Sequence, residues 1–545
     1  MGFCLTAEGV AEPITAGVEC CEAGQMADKK YLVGIDIGTT GAKTVVFGPD
    51  NKARASGYRE YLCTYPKPNW VEQDVDMLVA SSMESCAQAI SESGIEPTQV
   101  AAISFSTQRT CTHFLDDRGA LVRPMISWQD NRTTDEVPIV ETKLGGERFQ
   151  HITRLPLGAI WILNKILWLR AKEPDNWKRV RKIVQLQDYF LNAYGAEDYY
   201  VDRSDAGLFG CWDLYAGQWS DEICRMFDID ISMLPTPAPS GTQVGEVTKA
   251  VAEKTGLASG TPICVGAGDQ NAAAIGAGLV EPGLMSVSLG TGGIAAAYIE
   301  GELPNLDPRA MLTSHPIVGK YMLEGYQPAG AGAFRWFRDE IATLEKQQAG
   351  QAGLQGSGDV YDTLTAMASV VPPGSKGLVL NPYFASAGTP RWDADARASV
   401  VGLTFAHDRN CLVRAFMEGI TLEVKDMLNA MYACEVKIDE IRILGGPTRS
   451  ELWNQIQSDV YGRPVSTLKM PDAAVLGAAI CAGVGSGVFS HIREGVSAMV
   501  ETERTYDPIP KNVGVYEELY EVFCDIYDGL SAKAYDKLAR IQARY

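Results

Sequence analysis

A glycine- and threonine-rich segment near the start of the chain has the residue types of a phosphate-binding turn. It reads DIGTTGAK from Asp36 to Lys43 and follows an apolar run. Glycines let backbone N–H groups approach an anion closely, while threonine hydroxyls add donors and Lys43 adds positive charge. A carboxylate placed like Asp36 can hold a water molecule on Mg²⁺. The segment lacks the G-x-x-x-x-G-K-[ST] pattern of a Walker A loop, and a plain glycine-rich β-hairpin is the alternative.

A second segment places one carboxylate between a glycine run and an alanine-rich stretch. It reads GAGDQN from Gly266 to Asn271, and residues 272–278 continue with helical character. At the start of such a helix, facing a cleft, Asp269 can accept the proton of a substrate hydroxyl. The alternative is an ordinary helix N-cap, a position that Asp fills well.

A third segment, GGPTRS from Gly445 to Ser450, separates an apolar run from a helical one. Paired glycines allow a flat purine or a phosphate to lie against the backbone, and the start of the helix offers free N–H groups. An ordinary strand-to-helix turn explains the same residues.

The first turn has a counterpart in the second half of the chain. Residues 35–41 (IDIGTTG) and 287–293 (VSLGTGG) share a strand-like run, then Gly-Thr, then a further glycine. Two such turns predict two related lobes that face one nucleotide. Chance similarity of two short turns is the alternative.

The elements that must position these turns alternate between strand-like and helical runs, which predicts α/β lobes. A glycine- and alanine-rich run over 473–489 is short for a bilayer span and predicts a packing helix followed by a turn. We expect strands at 31–37, 44–47, 100–104, 285–289 and 441–444, helices at 77–92, 160–169 and 452–461, and a surface loop at 347–359. The expected domains are a disordered tail (1–29), an N-terminal lobe (30–272), a C-terminal lobe (273–505) and a helical extension (506–545).

The composition excludes several classes of function. The 545 residues carry 48 basic and 68 acidic side chains, a formal charge of −20, and 46% of them are apolar. This apolar fraction fills two sizeable cores and excludes a disordered chain. The negative charge repels nucleic acid and anionic lipid at long range, so neither nucleic acid nor a membrane is expected as a partner. A phosphorylated ligand can still be held locally by amides and one or two cations.

Cysteine and histidine spacing argues against a metal or disulfide scaffold. The 13 cysteines include no C-x-x-C pair, and the 5 histidines include no H-x(2–5)-H pair. A reducing, cytoplasmic location fits this usage best. The first 29 residues lack the apolar core of a secretory signal, and Met26 is an alternative start of translation.

Together and in this order, the three segments resemble the FGGY family of carbohydrate kinases. The similarity runs from about Tyr31 to Thr505. Further matches are 105–112 (FSTQRTCT), 127–133 (SWQDNRT), 330–339 (GAGAFRWFRD) and 444–483, which carries the family's C-terminal signature. The resemblance implies an α/β fold of two ribonuclease-H-like lobes, as in actin, hexokinase and Hsp70, with ATP and sugar in the interlobe cleft. It implies an ATP-dependent sugar or polyol phosphotransferase that uses Mg²⁺ and is often a homodimer.

The resemblance also implies roles for individual residues. Asp36 would serve the metal, and Asp269 would be the catalytic base for the attacking hydroxyl. The substrate would lie against Gln108, Arg109, Trp128, Asp269 and Gln270. Phosphates would be bound by Gly38, Thr39, Thr40, Lys43, Gly290 and Thr291. The adenosine pocket would be bounded by Gly330, Arg335, Gly446 and Ser450.

Three substrate-side residues have alternative explanations. Arg109 either hydrogen-bonds a sugar hydroxyl through its forked donors or forms a buried salt bridge to a cleft carboxylate. Trp128 is either a stacking platform for the sugar or a core aromatic residue. His113 is interpreted as structural, since nothing pairs it with a nucleophile.

The resemblance leaves the substrate open. Segments 106–110 and 128–130 are similar to the glycerol kinase branch, which has an acidic residue directly after the Arg and an aromatic further on. Here Thr110 and Ile160 stand in those places, so an acceptor for two hydroxyls is missing and glycerol is doubtful. The Gln-Met-His run typical of xylulose kinases is absent, and 478–505 is similar to autoinducer-2 kinases. We expect a ketose or polyol, with a pentulose such as xylulose first and glycerol, other polyols or autoinducer-2 as alternatives.

Other classes of function are less consistent with the sequence. A chaperone of this superfamily needs a peptide-binding domain, which the roughly 40 residues after Thr505 cannot supply. A filament former would not require Asp269 beside a sugar loop. A degenerate, sugar-sensing kinase need not retain both Asp36 and Asp269. A dehydrogenase is disfavoured because no G-x-G-x-x-G follows a strand and opens a helix.

Overall fold

A computed structural model describes residues 30–67, 69–303, 306–347, 359–542 and 544. The predicted tail over 1–29 and all but the ends of the predicted loop over 347–359 lie outside these residues. No helix among the described residues has both the length and the apolar character needed to cross a membrane. The ten described cysteines are all unpaired.

The first half of the chain is built on a six-stranded sheet in the order β13-β14-β5-β1-β2-β3. Within it, β1 pairs antiparallel with β2 and parallel with β5, and β5 pairs parallel with β14. The strands of this half are β1 (Tyr31–Ile37), β2 (Gly41–Phe47), β3 (Ala53–Glu60), β4 (Glu72–Gln73), β5 (Val100–Thr107), β6 (His113–Leu115), β7 (Met125–Ile126), β8 (Lys182–Val184), β9 (Tyr200–Val201), β10 (Trp212–Asp213), β11 (Gln218–Trp219), β12 (Thr236–Pro237), β13 (Gln243–Glu246) and β14 (Pro262–Gly268).

The second half is built on a seven-stranded sheet in the order β17-β18-β16-β15-β21-β22-β23. Its strands β18-β16-β15-β21-β22 repeat the arrangement β3-β2-β1-β5-β14, with the same parallel and antiparallel pairings. The predicted relation between the two turns is therefore confirmed as a repeat of two lobes. The strands are β15 (Gly283–Leu289), β16 (Gly293–Ile299), β17 (Met311–Ser314), β18 (Tyr321–Gln327), β19 (Val379–Asn381), β20 (Ser399–Val401), β21 (Ile438–Gly445), β22 (Val465–Leu468) and β23 (Thr502–Tyr506).

Helices cover both faces of each sheet and form the remaining layers. They are α1 (Val75–Ser93), α2 (Val137–Lys143), α3 (Gly146–Thr153), α4 (Ile162–Lys172), α5 (Pro174–Arg179), α6 (Leu186–Tyr194), α7 (Arg203–Gly207), α8 (Asp221–Met226), α9 (Lys249–Thr255), α10 (Asp269–Gly276), α11 (Gly332–Trp336), α12 (Val360–Ser369), α13 (Arg409–Tyr432), α14 (Glu451–Tyr461), α15 (Ala473–Gly485), α16 (Ile492–Met499), α17 (Pro510–Ser531) and α18 (Tyr535–Gln542).

The predicted elements are present, with bounds set by local chemistry. Helix α1 begins two residues earlier than expected because the Asp74 carboxylate accepts from the N–H groups of Asp76 and Met77, and it ends at left-handed Gly94. Strand β2 begins at Gly41 rather than at Thr44, so the turn 38–40 is tight. The predicted packing helix and turn over 473–489 are confirmed by α15 and the residues after it.

Two helices are exchanged between the lobes. Helix α10 follows β14 of the first sheet, but Ala274 packs with Tyr298 and Met322 of the second sheet. Helix α15 follows the second sheet, but its apolar residues pack with Leu32 and Phe47 of the first. The expected lobe boundary at 272/273 falls within α10. The two lobes are therefore joined through the crossing of these helices.

The crossing depends on two glycines. A Cβ atom on Gly276 would lie 1.9 Å from the carbonyl oxygen of Ala473, and one on Gly477 would lie 1.9 Å from that of Ala272. Only a residue without a side chain allows such close backbone approach. The matching distances show that the repeat of the two lobes extends to the packing of these helices.

Candidate active site

The carboxyl ends of three neighbouring parallel strands bring Asp36 and Asp269, the predicted metal ligand and the predicted base, to one edge of the first sheet. Asp36 on β1 lies opposite Ser106 on β5, which lies opposite Ala267 on β14. Two strand spacings separate Asp36 from Ala267, about 10 Å between their Cα atoms. Asp269 follows two residues later as the first residue of α10.

Asp36 is a partly buried carboxylate among other charges. It accepts a hydrogen bond of 2.7 Å from the Ser106 hydroxyl. Burial raises the pKa of Asp36 to about 7, and the nearby carboxylates of Asp269 and Asp472 act in the same direction. A carboxyl group in this environment is well suited to a cation.

The donor set around Asp36 fits a nucleotide-borne Mg²⁺ better than a protein cage. Among the described residues, no three His, Cys, Asp or Glu side chains are grouped to hold a metal. Mg²⁺ commonly binds through one or two carboxylates, with phosphate oxygens and water completing its shell. Asp36 meets that requirement.

Lys43 lies opposite Asp36 on β2 but is engaged with the other half of the chain. Its Nζ is 2.5 Å from Oδ2 of Asp472, the residue before α15, and both side chains are about one-third exposed, at 32% and 37%. The ammonium predicted to face phosphate is thus held by an ion pair in this structure.

The first turn is fixed from the side of its own lobe. The Tyr61 hydroxyl donates to the Gly38 carbonyl at 2.6 Å, and the Gln73 amide donates to the Thr39 carbonyl at 2.9 Å. The Trp128 indole N–H donates to the Thr39 hydroxyl oxygen at 3.0 Å. Thr40 is exposed. The turn and the substrate-side tryptophan are therefore directly connected.

The second turn is contacted by the segment predicted to line the adenosine pocket. Gly290 and Thr291 are exposed after β15, and the Gly332 N–H donates to the Thr291 carbonyl at 3.1 Å. The Arg335 guanidinium donates to the Thr291 hydroxyl at 3.4 Å. Gly330 has a φ of +33°, and a Cβ there would lie 2.3 Å from the carbonyl carbon of Gly292. The structure thus brings Gly290, Thr291, Gly330 and Arg335 together.

The third segment lies beside the second turn, because Gly445 pairs with Leu289 across the parallel strands β21 and β15. Gly446 is exposed, and a Cβ on it would have no neighbour within 4 Å. The Ser450 hydroxyl accepts from the Trp453 N–H at 3.2 Å and caps α14. Ser450 therefore has a structural function in addition to its place beside the predicted pocket.

Arg109 forms the buried salt bridge that was one of its two alternatives. Its Nη1 and Nη2 donate to the two carboxylate oxygens of Glu324 at 3.0 and 2.8 Å, and Nη1 also donates to the Asn271 side-chain oxygen at 3.1 Å. Its Nε lies 3.5 Å from Asp269 Oδ1. Glu324 is on β18 of the second sheet, so this ion pair connects the lobes.

Asp269 lies at the start of α10 without capping it. Gly268 occupies the N-cap position, and the Asp269 Oδ1 atom accepts from the N–H of Gln270 at 2.7 Å. The side chain is 30% exposed. Burial raises the pKa of Asp269, and the Arg109 guanidinium opposes that rise. The N-cap alternative for Asp269 is therefore wrong, and the carboxylate is partly accessible.

The remaining residues predicted to contact the substrate differ in their burial. Gln108 is buried and donates to Gln73 at 2.8 Å, while its side-chain oxygen has no partner. Trp128 and Gln270 are partly exposed, so Trp128 is not a fully buried core residue. His113 is fully buried and stacks on Tyr189, as expected for a structural residue.

The ammonium of Lys165 lies near this site but is already engaged by backbone carbonyls, including that of Thr110. Thr110 is buried, and its carbonyl accepts from Lys165 Nζ at 2.6 Å. The same Nζ donates to the Ser127 carbonyl at 3.2 Å, and burial lowers the pKa of Lys165 to about 8. The described cations of this region are therefore engaged with protein groups.

Sequence reasoning assigned no role to Glu324, Asn271 or Asp472. Glu324 is the only charged residue of the run YMLEGYQ over 321–327, and its side chain is 0% exposed. A single acid in an otherwise uncharged strand was a signal that it needs a buried partner. That partner is Arg109, 215 residues earlier.

The comparisons with known proteins agree with this geometry. The model of the FGGY family of carbohydrate kinases, N-terminal domain, matches residues 31–276, and that of the C-terminal domain matches 285–486. A xylulose kinase of Lactococcus lactis is 29% identical, over 92% of this chain and 97% of its own. A glycerol kinase of Bordetella parapertussis is also 29% identical, over 89% and 94%. The crystal structure of xylulose kinase from Lactobacillus acidophilus shares the fold, with a TM-score of 0.84, 24% identity and coverage of 93% of this chain and 100% of that one.

Proposed function

The chain belongs to the FGGY family of carbohydrate kinases, and we propose that it transfers the γ-phosphate of ATP to a hydroxyl of a ketose or polyol, with a pentulose such as xylulose as the first candidate. The observation that carries the proposal is the meeting of the first turn, Asp36, Arg109 and Asp269 at one edge of the first sheet. Phosphoryl transfer depends mainly on such alignment and on neutralising charge.

In the proposed reaction, the substrate hydroxyl lies beside Asp269, which accepts its proton as the oxygen attacks the γ-phosphorus. A bond forms between that oxygen and phosphorus, the bond to the bridging oxygen of ADP breaks, and Asp269 releases the proton to solvent. Because burial raises the pKa of Asp269, the carboxylate is a stronger base than an exposed one.

The remaining roles follow from position. The turns at 38–40 and 290–291 would face the phosphates from the two lobes, and Gly330, Arg335, Gly446 and Ser450 would bound the adenosine. Asp36 would hold Mg²⁺, which when bound neutralises phosphate charge. Lys43 would exchange its partner Asp472 for phosphate when the nucleotide enters.

The charges favour a neutral substrate. Arg109 is already paired with Glu324, Lys43 with Asp472, and Lys165 donates to backbone carbonyls. A substrate carboxylate would find no unengaged cation among these residues, whereas hydroxyls need only donors and acceptors. Thr110 in place of an acidic residue makes glycerol less suitable than a longer ketose or polyol.

We also propose separate binding roles for the two lobes and a dimeric assembly. The lobe over 30–272 would bind sugar and phosphate, the lobe over 273–505 would bind the nucleotide, and 506–545 is an extension. A homodimer is proposed from the family alone, and the mass of the protein measured by light scattering during gel filtration tests it.

The test is a screen of ADP formation with the full chain, ATP and Mg²⁺. The panel contains D-xylulose and other pentuloses, glycerol, longer polyols, the autoinducer-2 precursor and D-gluconate. We expect ADP formation that depends on a pentulose or polyol and is lost in Asp269→Asn. Absence of substrate-dependent ADP formation across the panel refutes the kinase proposal. Binding of a sugar without ADP formation would instead support the alternative of a degenerate kinase that acts as a sugar sensor.

A further inference from the structure

The contact between Arg109 and Glu324 has features of a specificity device. Glu324 is 0% exposed, receives both terminal nitrogens of Arg109 and also accepts from the Thr313 hydroxyl at 2.5 Å. The pair joins the loop after β5 in one lobe to β18 in the other. Asn271 also connects the two lobes, because its side-chain oxygen accepts from Arg109 and its side-chain nitrogen donates to the Ser314 carbonyl at 3.0 Å.

Most of the hydrogen-bonding capacity of Arg109 is used within the protein. A guanidinium carries five N–H donors. Two on Nη1 go to Asn271 and Glu324, one on Nη2 goes to Glu324, and Nε faces Asp269. One N–H on Nη2 is left for a substrate, which is enough for a hydroxyl but not for the paired contact that a carboxylate makes with arginine.

The path of the arginine side chain is also fixed. A Cβ atom on Gly268 would lie 2.6 Å from Cγ and 2.7 Å from Cδ of Arg109. The glycine at the end of β14 thus leaves room for the arginine stem between the strand and Asp269. The guanidinium cannot turn away from Glu324 towards the cleft without moving this packed stem.

We propose that Glu324 is a specificity-determining positioning residue, whose carboxylate cancels the charge of Arg109 across the lobes and restricts the pocket to neutral polyhydroxy compounds, excluding aldonates. The inference rests on the proposed function for the identity of the pocket. With Glu324 and Asp269 ionised, the trio including Arg109 carries a net charge of −1, which repels a substrate carboxylate. Replacing Glu324 by glutamine brings the trio to zero and frees Arg109 donors.

The test compares binding of D-xylulose and D-xylonate to the full chain by calorimetry. The two compounds differ at C1, where the acid has a carboxylate in place of a hydroxymethyl group, and at C2, where it has a hydroxyl in place of the carbonyl. Wild-type protein is expected to bind D-xylulose at least tenfold more tightly. The measured ratio is the dissociation constant of D-xylonate divided by that of D-xylulose. In Glu324→Gln this ratio should fall at least tenfold from its wild-type value. Thr313→Val removes a hydrogen bond to Glu324 but keeps its charge, so this control should keep the wild-type ratio.

The outcomes separate the inference from the proposed function. A folded Glu324→Gln protein whose ratio stays within twofold of wild type overturns the inference, as does wild-type protein that prefers D-xylonate or binds neither compound. Absence of ADP formation alongside the expected binding ratios would refute only the kinase proposal. If Glu324→Gln does not fold, Asp269→Asn, which also brings the trio to zero charge, should lower the ratio at least tenfold, and an unchanged ratio overturns the inference.

Discussion

Replacing Gly477 by alanine should disturb the crossing of α10 and α15, through which the two lobes are joined. The new Cβ atom would lie 1.9 Å from the Ala272 carbonyl oxygen. An ordinary carbon–oxygen contact needs about 3.2 Å, so one helix must move by about 1.3 Å. The neighbouring atoms are backbone, which cannot rotate away.

The magnitude follows from two opposing effects. Overpacking a close contact costs about 1–3 kcal/mol. Alanine in place of glycine within a helix returns about 1 kcal/mol. The free energy of unfolding should therefore fall by up to about 2 kcal/mol. The shift also reaches Asp269, at the start of α10, so kcat should fall more than the affinity for ATP.

A matched control is available in α17. Gly529 is also helical, but a Cβ on it meets no atom within 4 Å. Gly529→Ala should therefore stabilise the protein by up to about 1 kcal/mol. Urea unfolding of both variants and of wild type at one temperature shows whether each substitution raises or lowers the free energy of unfolding. If Gly477→Ala stabilises the protein as much as Gly529→Ala does, the new Cβ atom meets no steric cost and the crossing is not a tight contact.

Three further outcomes are expected. Asp269→Asn should lower kcat by about 10²–10⁴-fold while ATP binding by calorimetry is retained, with exposed Asp221→Asn as the control; a loss below fivefold would remove Asp269 from the mechanism. Because the pKa of Asp36 rises from 3.8 to about 7 on folding, the folded state holds a proton that the unfolded state releases between those values, so wild-type stability falls as pH rises through that window. Nucleotide-free Asp36→Asn should thus gain melting temperature over wild type at pH 8 and little at pH 5, and equal gains would contradict the assignment. Trp128→Phe removes its hydrogen bond to Thr39 and should raise KM for ATP by about 2–12-fold, whereas in a Thr39→Val background, which already lacks that bond, the same substitution should cause no further rise.

The sequence predicted those parts of the fold that depend on neighbours along the chain. The hairpin around Gly38 and its counterpart around Gly290 were found because each is an apolar run followed by glycines that only a tight turn requires. Helix bounds differed by a few residues where capping decided them, as at Asp74.

Pairings between distant residues were not predictable in the same way. Lys43 has the charge and the sequence position expected of a phosphate ligand. Its ammonium nevertheless forms an ion pair with Asp472, which lies 429 residues later in the chain. The sequence is consistent with two roles for Arg109, because nothing near it along the chain identifies Glu324 as its partner. Such contacts are set by how the lobes come together, which hydrophobic periodicity within each lobe does not specify.

The hydrogen bond from Trp128 to Thr39 links a residue predicted to contact the sugar with a residue predicted to contact phosphate. A hydroxyl has two lone pairs and a single proton, and the indole occupies a lone pair. The hydroxyl proton of Thr39 can therefore be donated to another acceptor, such as an oxygen atom bound above the turn. A molecule that moves the indole would also reorient that proton, so we expect the proposed carbohydrate and triphosphate sites to be coupled through the Thr39 hydroxyl.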